Sequence, residues 1–267
     1  MSFWESIILG IVQGLTEFLP VSSSGHIELG KAIFDINENE AGLLFTVTLH
    51  FATALSTIIV FRKDILELIK GIFKFRWNSE TKFVFFIVLS IIPAAFVGLF
   101  FKDYIDGFFS GNIILVSFML ILTGILLFLS DKLSRKDGLV NTKNALLLGV
   151  VQAIAILPGI SRSGSTIAVA VLLGINRERA ARFSFLMVLP LIFGAMAKEI
   201  MDYSAMDSNL STSSIDMTIV AGFIAALVSG IFACKWMIAI VKRSRLVYFA
   251  YYCWVVGIIG LIYQFIK

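Results

Sequence analysis

The sequence predicts an all-α integral membrane protein made of two inverted copies of one unit, each a re-entrant helical hairpin plus three transmembrane helices. Three observations predict it. Hydrophobic residues make up 58% of the 267 positions and charged residues 15%, against roughly 25% charged in soluble domains. The apolar runs are long rather than alternating, and mean hydropathy is +0.94, which points to helices and not a barrel. Finally, two apolar stretches are broken by related polar segments, PVSSSGH at 20–26 and PGISRSGS at 158–165.

Taken in order, the first element is a broken stretch over 2–34, with its polar tip after Leu19. Segments 42–61, 83–101 and 113–129 follow, each long and apolar enough to cover most of a ~30 Å hydrocarbon core. A second broken stretch occupies 143–174, and spans at 183–201, 215–236 and 246–266 complete the chain. After the second break only residues 165–174 remain apolar, reaching about 15 Å as helix, half a membrane. A hairpin of two half-helices with the break at its tip accounts for that.

The breaks belong to a repeat. GIVQGLTEFLPVSSSGH at 10–26 parallels GVVQAIAILPGISRSGS at 149–165. Gln13 matches Gln152, and Ser22 and Gly25 match Ser161 and Gly164, at an offset of 139; Leu19-Pro20 matches Leu157-Pro158 at 138. Phe45 and Phe183 continue the frame, again 138 apart. Repeat one covers about 1–130 and repeat two about 143–267 of a single membrane domain. An odd number of spans per repeat inverts the second copy.

Loop charge sets the orientation. With the N-terminus outside, the segments 62–82, 131–143, 176–182 and 242–245 fall inside and hold sixteen Lys and Arg, against four on the outer side. That is a strong positive-inside bias with both termini outside. The net charge of +4 and pI near 9.1 therefore reflect cytoplasmic loops. No basic aromatic patch suggests nucleic acid. Cys234 and Cys253 lie in apolar segments and are expected to be unpaired, and no Cys/His spacing suggests zinc. The N-terminus has no basic region before its apolar run and carries Glu5, so a cleaved signal peptide is not expected.

Ionisable residues at membrane depth are functional candidates because burying them is costly. The first break holds Gln13, Glu17, Ser22, Ser23, Ser24, Gly25 and His26; the second holds Ser161, Arg162, Ser163, Ser165 and Thr166. Each break runs through Ser and Gly into a new helix, whose free N–H groups and dipole suit a phosphate. Arg162 supplies a bidentate clamp, and Ser161, Ser163, Thr166, Ser24 and Gly25 are the other phosphate-binding candidates. Glu17 needs a task beside an anion: it holds a divalent cation, Mg2+ or Ca2+, or acts as a base. Gln13, one turn earlier on the same face, shares that role. Ser23 and His26 are competing nucleophiles.

QGLTE at 13–17, PVSSSGH at 20–26 and PGISRSGST at 158–166 resemble the bacterial undecaprenyl-diphosphate phosphatase family, of the bacitracin-resistance type, and the likeness runs through the whole chain. The resemblance implies a multi-pass enzyme of the bacterial cell membrane. Such an enzyme hydrolyses undecaprenyl diphosphate, a long-chain polyprenyl diphosphate lipid, to the monophosphate. It recycles the carrier lipid of peptidoglycan and other cell-wall polymers and uses a divalent metal; with both termini outside, the site of this chain is expected to open to the outer face. It also implies that Glu17, Ser23, His26, Ser161 and Arg162 carry function. The family's first motif commonly begins with a second glutamate, where this chain has Gln13. A homodimer is compatible with the sequence.

Blander readings stand beside these. His50 on its apolar span is expected to be a hydrogen-bonded packing residue, and the glycines at 10, 14, 149 and 164 to permit close helix contact. A secondary transporter or flippase for an anionic lipid or phosphate-containing substrate shares inverted repeats and broken helices. A second class of membrane lipid phosphatase shares Ser24-Gly25-His26 and Ser161-Arg162, but needs a histidine where this chain has Ala168.

Overall fold

The computed structural model describes residues 2–34, 43–101, 104, 112–133, 137–206, 217–243 and 246–266. Among them the only strand-like feature is one parallel bridge between Gly138 and Ile175. The first broken stretch forms α1 (Phe3–Phe18) and α2 (Ser23–Phe34). α1 begins with a capping box: Ser2 Oγ accepts from the Glu5 amide at 3.3 Å and Glu5 Oε2 accepts from the Ser2 amide at 2.7 Å. Glu5 is thus a helix-start residue.

The next run is bent. α3 (Leu43–Val60) stops at Phe61 and α4 (Arg62–Ile72) leaves at 76°. α4 is an amphipathic helix within the segment expected to be a loop. Ile65, Leu68, Ile69 and Ile72 recur at helical spacing among Arg, Lys, Asp and Glu, the pattern of a helix lying in the interface. Asn78 closes the α4–α5 corner, donating to the Gly71 carbonyl at 2.9 Å and capping α5 (Ser79–Phe100) by accepting from Thr81 at 2.8 Å.

α6 (Ile113–Leu133) completes the first half, and the second broken stretch forms α7 (Thr142–Ile154) and α8 (Arg162–Leu172). α8 ends at Gly174, whose φ of +84° lets the Ile175 amide reach back to the Ala170 carbonyl at 3.0 Å, a Schellman closure. α9 (Arg177–Met206), α10 (Met217–Lys242) and α11 (Val247–Ile266) follow. Five helices are long and apolar enough to cross a membrane, six with the bent α3–α4 pair, as the six apolar segments predict. The expected boundaries at Gly42 and Ile215, most of the expected outer loops and Lys267 lie outside the described residues. α9 starts six residues before the expected 183 because its first turns are held by ion pairs rather than left as a loop.

The half-helices are packed by small residues. α1 lies against α10 and α7 against α5. A methyl group on Gly14 would fall 2.5 Å from the Ala226 carbonyl oxygen, and one on Gly149 2.5 Å from that of Ser90. α1 and α2 pack on each other, as do α7 and α8. Phe18 at the end of α1 meets Phe185 of α9 at 5.8 Å between ring centroids, and Phe61 meets the same ring at 6.0 Å. This core lies directly beneath the tips.

The segments expected on the inner face are gathered at one end. Arg177 pairs with Asp131 at 2.8 Å, Arg182 with Asp64 at 2.6 Å and Lys242 with Glu178 at 2.7 Å. The second oxygen of Asp131 accepts from the Val247 amide at 3.3 Å. The ends of α6 and α10 and the starts of α4, α9 and α11 therefore share one basic face.

Candidate active site

Both tips are built by the same short device. Ser22 caps α2 by accepting from the Gly25 amide at 3.2 Å, and Ser161 caps α8 by accepting from the Gly164 amide at 3.1 Å. In each, the cap hydroxyl also approaches the serine two residues on, Ser24 at 3.3 Å and Ser163 at 3.4 Å. Ser-x-x-Gly suits this because the serine satisfies a free amide of the first turn, while the glycine leaves room for the opposite tip. A methyl on Gly25 would lie 3.3 Å from Gly159 Cα, and one on Gly164 3.0 Å from Pro20 Cβ. Ser163 Oγ reaches the Leu19 carbonyl at 3.4 Å. The tips differ in backbone: Ser22 has a φ of 70°, while at the second tip Gly159 takes the left-handed conformation at +88°. A non-glycine residue held there is a strained one.

Where the tips meet, polar side chains converge on Glu17, which is 7% exposed. One carboxylate oxygen forms an ion pair with the Arg162 guanidinium, so the charges come from the two different broken stretches. The other accepts from Ser23 Oγ at 2.8 Å and from Gln13 Nε2 at 3.1 Å. Gln13 Nε2 also lies 3.3 Å from His50 Nδ1 on α3. α1, α2, α3 and α8 each contribute one or more members. The cluster faces a cavity of about 290 Å³, lined by Glu17, Ser23, Ser24, His50, Ser161, Arg162, Ser163 and Gln152, with an apolar wall from α9 residues Val188 to Met196.

The structure brings together Gln13, Glu17, Ser23, Ser24, Ser161, Arg162 and Ser163. It does not bring His26 or Thr166 to the cavity. The His26 ring is pinned on the far side of α2. Nδ1 donates to the Ser22 carbonyl at 2.8 Å, Nε2 meets the Tyr252 hydroxyl at 2.8 Å, and the rings stack at 5.5 Å. Thr166 turns into the protein, 2.6 Å from Ser184 Oγ and 2.8 Å from the Arg162 carbonyl. Gly25 serves the packing of the tips. Three polar residues of the cavity lining, Thr16, His50 and Gln152, are not nominated by the sequence, and Thr16 spends its hydroxyl on the Val12 carbonyl at 2.6 Å. His50 is hydrogen-bonded as expected, yet it faces the site. In the sequence Gln152 stands out only as the repeat partner of Gln13. A histidine or glutamine inside an apolar span is the signal that points to both.

Half-helices meeting over a buried acid, hydroxyl and guanidinium define a multi-pass membrane protein with an enzyme-like site. The chain belongs to the family described as bacitracin resistance protein BacA, whose sequence model matches residues 6–259. It is 55% identical over 267 residues to a protein named undecaprenyl-diphosphatase from Christiangramia forsetii, with 99% of both chains covered. Proteins of the same name from Bacteroides fragilis and Halothermothrix orenii are 46% and 42% identical, each over 98% of both chains.

Proposed function

We propose that this protein hydrolyses undecaprenyl diphosphate to undecaprenyl phosphate and inorganic phosphate, returning the carrier lipid to cell-wall synthesis. The observation that carries the reading is the hydrogen bond from Ser23 Oγ to Glu17, with Arg162 alongside, in a cavity walled by apolar side chains. A hydroxyl bound to a carboxylate is a nucleophile with its base attached. The relatives that span the whole chain carry the corresponding name.

In the mechanism, Arg162 and the amides at the start of α8 hold the phosphate oxygens. Ser23 Oγ attacks the terminal phosphorus as Glu17 takes its proton. The bond from that phosphorus to the bridging oxygen breaks, and undecaprenyl phosphate leaves with the proton that Glu17 returns. The regained carboxylate then takes a proton from water, whose oxygen attacks the phosphoserine; the bond from phosphorus to Ser23 Oγ breaks, phosphate is released, and Glu17 returns the proton to Oγ. Ser23 is preferred over His26 because only Ser23 touches Glu17, while both His26 nitrogens are engaged elsewhere.

Hard oxygen donors suit magnesium or calcium, and Glu17 with Gln13 provides a carboxylate and an amide. Among the described residues no three His, Cys, Asp or Glu side chains are grouped so as to hold a metal ion, so substrate oxygens and water would complete the shell. A bound cation there would neutralise charge on the diphosphate.

The site opens to the outer face of the bacterial cell membrane, with both termini on that side. Supporting this, the α9 residues that wall the cavity begin eleven residues beyond Arg177 on the basic face, or about 16 Å along the helix. The two halves are inverted repeats, which the matched Ser-x-x-Gly caps and the pairing of α1 with α10 and α7 with α5 support. The test is phosphate release from undecaprenyl diphosphate by purified protein in detergent micelles, where no second compartment exists. Release at many turnovers per protein supports hydrolysis; none, alongside lipid movement in vesicles, would replace it with transport.

A further inference from the structure

Gln152 sits on α7 with its side chain fully buried, and it lines the same cavity as Glu17 and Arg162. Neither its Nε2 nor its Oε1 has a hydrogen-bond partner among the described residues. A buried amide left unmatched is costly, so such a group calls for an explanation. The repeat supplies the contrast. Gln13, its counterpart at an offset of 139, spends its amide on Glu17 and His50. The positions matching Glu17 in the second half are Ala155 or Ile156, and the one matching His50 is Val188 or Leu189. All four are apolar, and Ala155, Ile156 and Val188 line the cavity. The second half has the glutamine without the carboxylate and imidazole that would satisfy it.

We infer that Gln152 is a substrate-positioning residue whose Nε2 donates to a non-bridging oxygen of the diphosphate, opposite the Arg162 clamp. The amide suits this place. It donates to an anion without adding a second positive charge that would compete with Arg162 for Glu17, and its Oε1 can accept from a bound water or a phosphate O–H. Its burial in an apolar wall strengthens a hydrogen bond to a charged oxygen. The inference rests on the diphosphatase reading.

The experiment compares the full-length wild type with Gln152→Leu and Gln152→Asn in detergent. It measures steady-state kinetics on undecaprenyl diphosphate, inhibition by a non-hydrolysable polyprenyl methylenediphosphonate, and the unfolding midpoint without ligand. Gln152→Leu removes the unmatched amide at nearly constant size, so its midpoint should equal or exceed the wild type's. Its KM and the inhibition constant should rise together by about 10- to 100-fold, the scale of a lost hydrogen bond to a charged group, with kcat changed less than about threefold. Gln152→Asn keeps the amide but shortens its reach, and its KM should fall between the two. An unchanged inhibition constant in Gln152→Leu overturns the inference. So does a lowered midpoint with kcat and KM both impaired, which would make Gln152 a packing residue. A wild type that binds the diphosphonate but hydrolyses nothing refutes the diphosphatase reading instead, and is distinguished by that control.

Discussion

Replacing Arg162 by Lys keeps a positive charge beside Glu17 but removes the planar fork. In the structure one guanidinium nitrogen is committed to Glu17, and the side chain keeps 21% of its exposure on the cavity side. The remaining N–H groups are the ones available to a phosphate. An ammonium is a point charge and cannot span both partners with the same directed donors. Losing one charge-assisted hydrogen bond to the diphosphate costs about 1.5–3 kcal/mol, so kcat/KM should fall about 10- to 100-fold. Stability should hardly change, because Glu17 is still compensated. Arg162→Ala is different: it strands a buried carboxylate, at about 3 kcal/mol of stability. Adding Glu17→Gln to Arg162→Ala should restore most of that stability and none of the activity. The assay is phosphate release by purified protein across a substrate range, with unfolding midpoints in the same detergent. Near-normal kcat/KM for Arg162→Lys would refute the clamp and leave Arg162 a structural tie to Glu17.

Three further outcomes follow from the same geometry. Glu17→Gln should lose about 30- to 1000-fold in turnover and flatten the response to a magnesium or calcium titration. Gln13→Ala should cost less than that, and Gln13→Glu should be tolerated with tighter metal dependence; normal turnover and metal response in Glu17→Gln would refute the base-or-metal role. Ser23→Ala should reduce turnover far more than His26→Ala, because His26 is bonded to Ser22 and Tyr252 and not to Glu17; the reverse order in steady-state rates would move the nucleophile. Gly14→Ala should destabilise by about 1–3 kcal/mol, since the new methyl meets Ser229 Oγ and the Ala226 carbonyl on α10. An unchanged unfolding midpoint would mean that α1 can shift away from α10 freely.

The spans and breaks were legible because a bilayer imposes length and hydropathy on whole segments, and those quantities are averages over many residues. The tips were legible because Pro20 and Pro158 recur at an offset of 138, and Ser22 and Ser161, and Gly25 and Gly164, at 139. Side-chain direction was not. Ser23 and His26 lie three residues apart on one short helix, yet one turns to Glu17 and the other to Tyr252, 226 residues away. No local pattern announces a partner at that separation. α4 was hidden for another reason: Arg62, Lys63 and Lys70, half of the six basic residues that mark 62–82 as a loop, lie on the polar face of an amphipathic helix, and counting charge does not distinguish the two. His50 and Gln152 each looked like an isolated polar residue on an apolar face. Only the folded chain brings α3 and α7 to the same cavity.

The central claim is that Ser23, held by Glu17 and faced by Arg162, receives the phosphoryl group. Rapid-quench labelling with undecaprenyl diphosphate carrying 32P in its terminal phosphate, followed by peptide mapping, tests it most directly. An acid-stable phosphoserine should appear at Ser23 within the first turnover, be lost in Ser23→Ala and form more slowly in Glu17→Gln. Label on His26, or undiminished phosphate release by Ser23→Ala, would contradict it.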